Sequence, residues 1–392
     1  MLLMNYIDLF SGIGGFHQAL KDLNCKCILA SDIDKNCQYI YKINYDINVE
    51  KDVKLIDPLN ITDLDIICGG FPCQTFSNAG KKKTFSDKRG LLFDEIIRIA
   101  NIKKPKFMFL ENVKHILKVG DGEVIKYIKE KLYENNYIVQ LFNISPHTYG
   151  IPQQRERIYF VCIRKDIYNH KDIILPINDK KLDFESYLDK KVDNKYYIKD
   201  DILDILNAWD EMIKNFDVGE KISPTILINE YYINERISKF NEYPKWKQKY
   251  ISKNENLINK YKDKWDIWYE KHKDILQKRE IFGKLEWQVG TIKPNDSIFN
   301  YFIQVRQSGI RVKKTDYFPT LVAISQIPIY GKEKRYITPR ECARLQSFPD
   351  SFILSDNDKI SYKQLGNAIN VDNAKTIIKA TFNHYNVIKK ND

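Results

Sequence analysis

No apolar run in this chain approaches the roughly 20 residues needed to cross a bilayer, so a membrane-spanning role is not expected. Met1 to Met4 lacks the basic start and apolar core of a secretory leader, and a reduced, cytoplasmic protein with free thiols is the expectation. The seven cysteines are an odd number and contain no C-x-x-C pair. Cys25 and Cys27 flank one residue with no histidine nearby, so no metal site is expected. Internal repeats and low-complexity tracts are also absent, which excludes solenoid and linker-like architectures.

What is present is length, positive charge and aromatic surface. A chain of 392 residues is too long for one compact core, so two domains are expected. The net charge of +11 and a pI near 9.0 point to a polyanionic partner. The excess is mostly lysine in a chain also rich in Ile, Asn and Tyr, a bias that an AT-rich genome would produce as well. Charge alone therefore does not decide. The 13% aromatic content is enough for cores and for stacking on bases.

Residues 5–165 alternate strand-like and helix-like segments. Strands are expected at Tyr6–Phe10, Cys27–Ala30, Ile66–Cys68, Phe107–Leu110, Tyr137–Phe142 and Ile158–Ile163, with helices such as Phe93–Asn101 and Glu123–Glu134 between them. This is the βαβ pattern of an open, mainly parallel α/β sheet. Residues 178–290 change character, becoming rich in Lys, Asp, Asn, Tyr and Trp. The spacing of Leu257, Ile258, Tyr261, Trp265, Trp268, His272, Ile275 and Leu276 predicts one long amphipathic helix over 255–279. Strand-like segments follow from Lys284 to Tyr330. A compact pattern returns after 335, with a helix start at Thr338-Pro339 and a terminal helix.

Four motifs carry chemistry. Phe10-Ser11-Gly12-Ile13-Gly14-Gly15 joins a strand to a helix, where glycines let backbone approach a ligand. Asp32 follows about twenty residues on, at the end of the next strand, where a ribose would be held. The third glycine of G-x-G-x-x-G is missing, so a dinucleotide is disfavoured against another nucleoside cofactor. Gly69-Gly70-Phe71-Pro72-Cys73-Gln74 ends another strand, and the proline stiffens the backbone before a thiol placed to act as a nucleophile. Glu111, after Phe107–Leu110, is placed for acid chemistry with a raised pKa. Arg155 and Arg157 share one face if their segment is extended, and two guanidiniums there suit an anionic or carbonyl oxygen.

Together these motifs resemble the cytosine-C5 DNA methyltransferase family, of the bacterial restriction-modification type. The resemblance extends through Asp8–Phe16, Gly69–Ser77, Arg89-Gly90-Leu91-Leu92-Phe93, Glu111-Asn112-Val113, Gln153-x-Arg155-x-Arg157, Pro339–Pro349 and Gln364-Leu365-Gly366-Asn367-Ala368, in family order. It implies a Rossmann-like S-adenosylmethionine-dependent methyltransferase sheet with a second, smaller target-recognition domain. The catalytic and cofactor-binding domain would take 1–175 plus 335–392. The target-recognition domain would take 176–334, with a helical insertion.

The resemblance implies that Cys73, Glu111, Arg155 and Arg157 are catalytic. The cofactor S-adenosyl-L-methionine would be held by Phe10, Gly12, Gly14, Gly15, Asp32, Ile33, Asp52, Val53, Leu92, Asn367 and Ala368. Asp32 stands where the family usually has Glu, and Ile33 where it often has an aromatic residue. Double-stranded DNA would meet Ser77, Lys82, Arg89, Arg306, Arg311 and Thr320. The segment Ser77–Arg89, with Lys81, Lys82 and Lys83, reads as a basic loop that closes over a flipped base. A monomer, associated with the nucleoid, is expected, with room for a cognate restriction endonuclease encoded nearby. Alternatives are a tRNA cytosine-C5 methyltransferase, from the branch that typically has Pro-Pro-Cys, and a catalytically silent DNA-binding regulator. A nicotinamide dehydrogenase would explain the glycine loop and Asp32 but not the Cys and Arg motifs.

Overall fold

The computed structural model describes residues 4–50, 52–72, 92–178, 181–322 and 326–387. The chain divides into two compact units. The first comprises Met1–Asp183, Thr320–Ala323 and Pro339–Asp392, and the second Phe184–Pro319 and Ile324–Thr338.

The first unit is built on a sheet of seven strands among the described residues: β1 (Asn5–Leu9), β2 (Lys26–Ser31), β3 (Val49–Glu50), β4 (Ile66–Gly70), β5 (Phe107–Val113), β6 (Tyr137–Ile144) and β7 (Arg157–Arg164), in the order β3-β2-β1-β4-β5-β7-β6. The pairings from β3 to β5 are parallel, and β7 runs antiparallel to both β5 and β6. The central strands β4 and β5 are buried on both faces, which explains their continuous apolar runs. The helices α1 (Gly15–Lys21), α2 (Lys35–Tyr45), α3 (Leu92–Lys103) and α4 (Glu123–Glu134) connect these strands. A core of residues such as Ile7, Ile67, Phe93, Met108, Leu110 and Phe160 packs on the sheet. The expected first strand ends one residue early. Phe10 has a φ of 54°, outside the extended region, because the chain is already turning into the glycine loop.

Two glycines are required by this geometry. Gly14 has a φ of 87°, and a Cβ there would lie 2.3 Å from the Tyr45 ring. A Cβ on Gly69 would lie 2.4 Å from the Leu9 carbonyl oxygen. A side chain at Gly14 would press the glycine loop away from α2, and one at Gly69 would push apart the ends of β1 and β4.

The second unit carries a sheet of six strands among the described residues: β8 (Ile226–Leu227), β9 (Lys284–Gln288), β10 (Phe302–Arg306), β11 (Gly309–Lys313), β12 (Ile329–Tyr330) and β13 (Arg335–Tyr336), ordered β13-β12-β10-β11-β9-β8. Its core is rich in tryptophan, with Trp209, Trp265 and Trp268 buried and the Trp209 and Trp268 rings 5.0 Å apart. Trp209 comes from α5 (Asp200–Lys214), a helix not anticipated above. The long helix expected over 255–279 is two helices, α6 (Lys245–Lys260) and α7 (Lys262–Lys278). They break at Tyr261, whose backbone leaves the helical region (φ −121°, ψ 33°). Its hydroxyl donates to Asp217 and Glu220, and its ring packs on Phe216. That side-chain anchorage holds the kink while the apolar spacing runs on through it.

Candidate active site

The carboxyl ends of β1, β2, β4 and β5 open onto a cavity of about 770 Å³, contained within the first unit. This is the edge where open α/β sheets take ligands. Phe10, Gly12, Gly15, Asp32, Ile33, Asp52, Val53, Leu92, Asn367 and Ala368 all line it, as do Glu111, Arg155 and Arg157. Gly14 stands just behind, as the residue capping α1. Cys73, Ser77, Lys82 and Arg89 lie outside the described residues, but Phe71 and Pro72, which immediately precede Cys73, line the same cavity.

Asp32 organises the end of the cavity beside the glycine loop. Its Oδ2 accepts the Gly12 N–H and its Oδ1 accepts the Asp34 N–H, both at 2.8 Å, tying the glycine loop to the end of β2. Each oxygen keeps a lone pair for a further donor. Burial raises the Asp32 pKa, and the two N–H bonds oppose that rise. Next to it Ile33 is 77% exposed, an apolar side chain at the cavity that the described residues leave largely uncovered. Asp52 Oδ1 accepts the Lys54 N–H at 3.0 Å, capping the turn Val53–Leu55. Ser11, not singled out from sequence, is buried in the cavity wall, and its Oγ has no hydrogen-bond partner among the described residues. An orphaned hydroxyl, a carboxylate with spare lone pairs and an open apolar face are what a polar nucleoside with a charged tail would satisfy. The residues present therefore fit S-adenosylmethionine.

The end of the cavity that holds Glu111 and Arg157 is built on β5 and β7. Glu111 pairs in register with Gly70 and Tyr159, so its side chain emerges beside the β4 exit. Arg157 Nε lies 2.9 Å from Glu111 Oε1, and both side chains are nearly buried. Burial raises the Glu111 pKa; Arg157 and, more weakly, Arg155 oppose it. Asn112 donates from Nδ2 to the Phe71 carbonyl at 2.8 Å. The Phe71 ring packs between Phe93 and Phe160 at 5.4 and 5.8 Å. Asn112 and these rings hold the backbone just before Pro72, a positioning role that the sequence motif did not disclose.

Arg155 lines the cavity and also ties its wall together. Its guanidinium donates to the carbonyls of Leu321, Gly366 and Ala368 at 2.7–2.9 Å, and the residue is 2% exposed. Burial, with Arg157 adding to it, pushes its pKa down to about 9. Three of its N–H bonds go to backbone, so it braces the cavity wall formed by Gly366–Ala368, while its buried Nε has no hydrogen-bond partner among the described residues. The segment carrying it is irregular, and β7 begins only at Arg157. Thr320 likewise turns its hydroxyl to the Gln154 carbonyl at 2.6 Å, leaving that proton unavailable to a phosphate. Arg306 and Arg311 belong to the second unit, on β10 and β11, and are not among the residues lining this cavity.

The chain is similar to known proteins over nearly its whole length. Residues 4–383 match the model of the C-5 cytosine-specific DNA methylases. The type II methyltransferase M.BanI of Aneurinibacillus aneurinilyticus is 28% identical over 97% of this chain and 96% of its own length. M1.ScrFI of Lactococcus lactis subsp. cremoris, also a type II methyltransferase, is 33% identical over 93% of this chain and 74% of its own. The solved methyltransferase EhMeth of Entamoeba histolytica superposes with a TM-score of 0.58 at 21% identity, covering 98% of this chain and 99% of that one. At that identity the likeness shows the fold.

Proposed function

This chain belongs to the C-5 cytosine-specific DNA methylase family, and on that premise we propose that it flips a cytosine out of a specific duplex site and methylates it at C5. The observation that carries the reading is the convergence, in one cavity, of the Asp32-clamped glycine loop, the Glu111–Arg157 pair and the Phe71-Pro72 backbone leading into Cys73. S-adenosylmethionine, when bound, supplies an electrophilic sulfonium methyl group.

Cytosine C5 is too weak a nucleophile to accept a methyl group unaided. The Cys73 thiolate adds to C6, which breaks the aromaticity and makes C5 enamine-like. Negative charge then develops on N3 and O2. Glu111, whose neutral form is favoured by burial, donates its proton toward N3, and the Arg157 guanidinium stabilises O2. After C5 is methylated a base removes the C5 proton and Cys73 leaves by β-elimination, restoring the ring. The cost of extruding the base is a few kcal/mol. It is met by contacts that we assign to the second unit as the target-recognising one. The type II names of the relatives support a host-protecting role beside a restriction endonuclease.

The test is methyl transfer from labelled S-adenosylmethionine to duplex DNA, to tRNA and to no nucleic acid. Label in DNA alone is the expected result. Label in tRNA alone, or in neither, would overturn the reading.

A further inference from the structure

One face of the second unit's sheet is unlike the other. Ile303, Leu285, Trp287, Ile310 and Val312 point into the core. The alternating positions include the buried Phe302 and Gln304 on β10 and otherwise gather charge: Lys284 and Glu286 on β9, Arg306 on β10, Arg311 and Lys313 on β11. Register places Arg311 directly opposite Glu286 across the parallel β9–β11 pair, and opposite Gln304 across the antiparallel β10–β11 pair.

Glu286 is the one carboxylate among these residues. Its Oε2 accepts from Arg311 Nε at 2.8 Å, and its Oε1 lies 2.7 Å from Arg306 Nη2 and 3.5 Å from Lys284 Nζ. The Arg311 side chain is 27% exposed, whereas that of Glu286 is 12% exposed. With Nε bonded to Glu286, Arg311 retains two Nη groups, which have no hydrogen-bond partner among the described residues. A guanidinium held by Nε presents its two Nη groups as an end-on fork, the shape that grips adjacent acceptors such as guanine O6 and N7. The cations around Glu286 outnumber it. Burial and their mutual repulsion depress the pKa values of Arg306 and Lys313, so an incoming acceptor or phosphate relieves a standing surplus of positive charge.

We infer that Glu286 is a specificity-determining positioning residue, which fixes the Arg311 fork for direct readout of a guanine in the target site. The inference rests on the second unit being the one that reads DNA. Without the carboxylate the face would still attract DNA, more strongly than before, but Arg311 would swing freely and contact phosphate as readily as a base.

The experiment begins with the native target, found by sequencing the methylated sites in DNA treated with the wild-type protein. Methylation rates and binding are then measured on that duplex and on its single-base variants. Glu286→Gln should lower discrimination at one G·C pair by about tenfold or more, within the range of a bidentate base contact, while tightening binding to unrelated duplex. Arg311→Lys, which keeps the charge and loses the fork, should lower discrimination at the same pair. In the Arg311→Lys background Glu286→Gln should have no further effect there. A purely structural Glu286 would instead lower thermal stability and depress methylation evenly at every site, in both backgrounds. That result, or unchanged discrimination in Glu286→Gln, overturns the inference. A wild-type protein that methylates no DNA overturns the proposed function instead, which keeps the two failures distinguishable.

Discussion

Replacing Asp32 by alanine removes one carboxylate that does two jobs. It accepts the Gly12 and Asp34 N–H groups at 2.8 Å each, and its remaining lone pairs are those proposed for the ribose hydroxyls. A hydrogen bond to a charged group contributes about 1.5–3 kcal/mol. Losing one ribose contact should therefore raise the dissociation constant for S-adenosylmethionine about 10- to 150-fold. The two orphaned N–H groups line an open cavity where water can reach them. The cost to folding should accordingly fall near the low end for an unsatisfied donor, about 1–2 kcal/mol. Asp32→Glu, which restores the residue type usual in the resembled family, should recover most of the affinity. Calorimetric titration reads the affinity, and thermal unfolding reads the stability. The pH dependence has a definite sign. Burial raises the Asp32 pKa above its ordinary 3.8, and the ionised form is the one that accepts ribose donors. Cofactor affinity should thus begin to fall at a higher pH, on acidification, than for an exposed aspartate. For folding the same shift favours the neutral form: the stability it contributes is full below 3.8 and is lost as pH rises through the raised value. Unchanged affinity in Asp32→Ala would refute the assignment.

Arg155→Met should destabilise the first unit by about 3–5 kcal/mol, because the buried carbonyls of Leu321, Gly366 and Ala368 lose their donor. The thermal midpoint should drop on the order of 10 °C, and an unchanged melting curve would contradict the bracing role. Glu111→Gln keeps an oxygen for Arg157 but cannot release a proton. Single-turnover methylation should slow about 100- to 10,000-fold with cofactor affinity nearly unchanged; equal single-turnover rates would remove Glu111 from the chemistry. In the wild-type protein the same step should weaken as pH rises through the elevated Glu111 pKa, since the protonated form is the active one.

The parts of the site legible in the sequence are those encoded locally. A glycine loop after an apolar strand, an acid at the next strand end and Glu111 after Phe107–Leu110 all mark the carboxyl edge of the sheet, because strand ends and turns are written in adjacent residues. What escaped depends on partners far along the chain. Arg155 reads as half of an Arg-x-Arg pair, yet its acceptors lie 166 to 213 residues away. Asn112 reaches the Phe71 carbonyl 41 residues back. Glu286 gains meaning only from the parallel register of β9 with β11, which no spacing in the sequence encodes. The break at Tyr261 was invisible for a different reason. The apolar repeat continues through it, and the kink is held by side-chain bonds to Asp217 and Glu220. The helix α5 did carry a readable signal, in Ile202, Ile205, Leu206, Trp209, Met212 and Ile213 at helical spacing, which the surrounding polar composition obscured.

The central claim is that this chain methylates cytosine C5 in DNA through Cys73. Bisulfite sequencing of DNA from cells expressing the wild-type protein or Cys73→Ser tests it most directly. The account predicts protected cytosines at one recurrent short sequence with the wild type and none with Cys73→Ser, since serine is a far poorer nucleophile near neutral pH. Equal protection by both proteins, or no protected cytosine with the wild type, would contradict it.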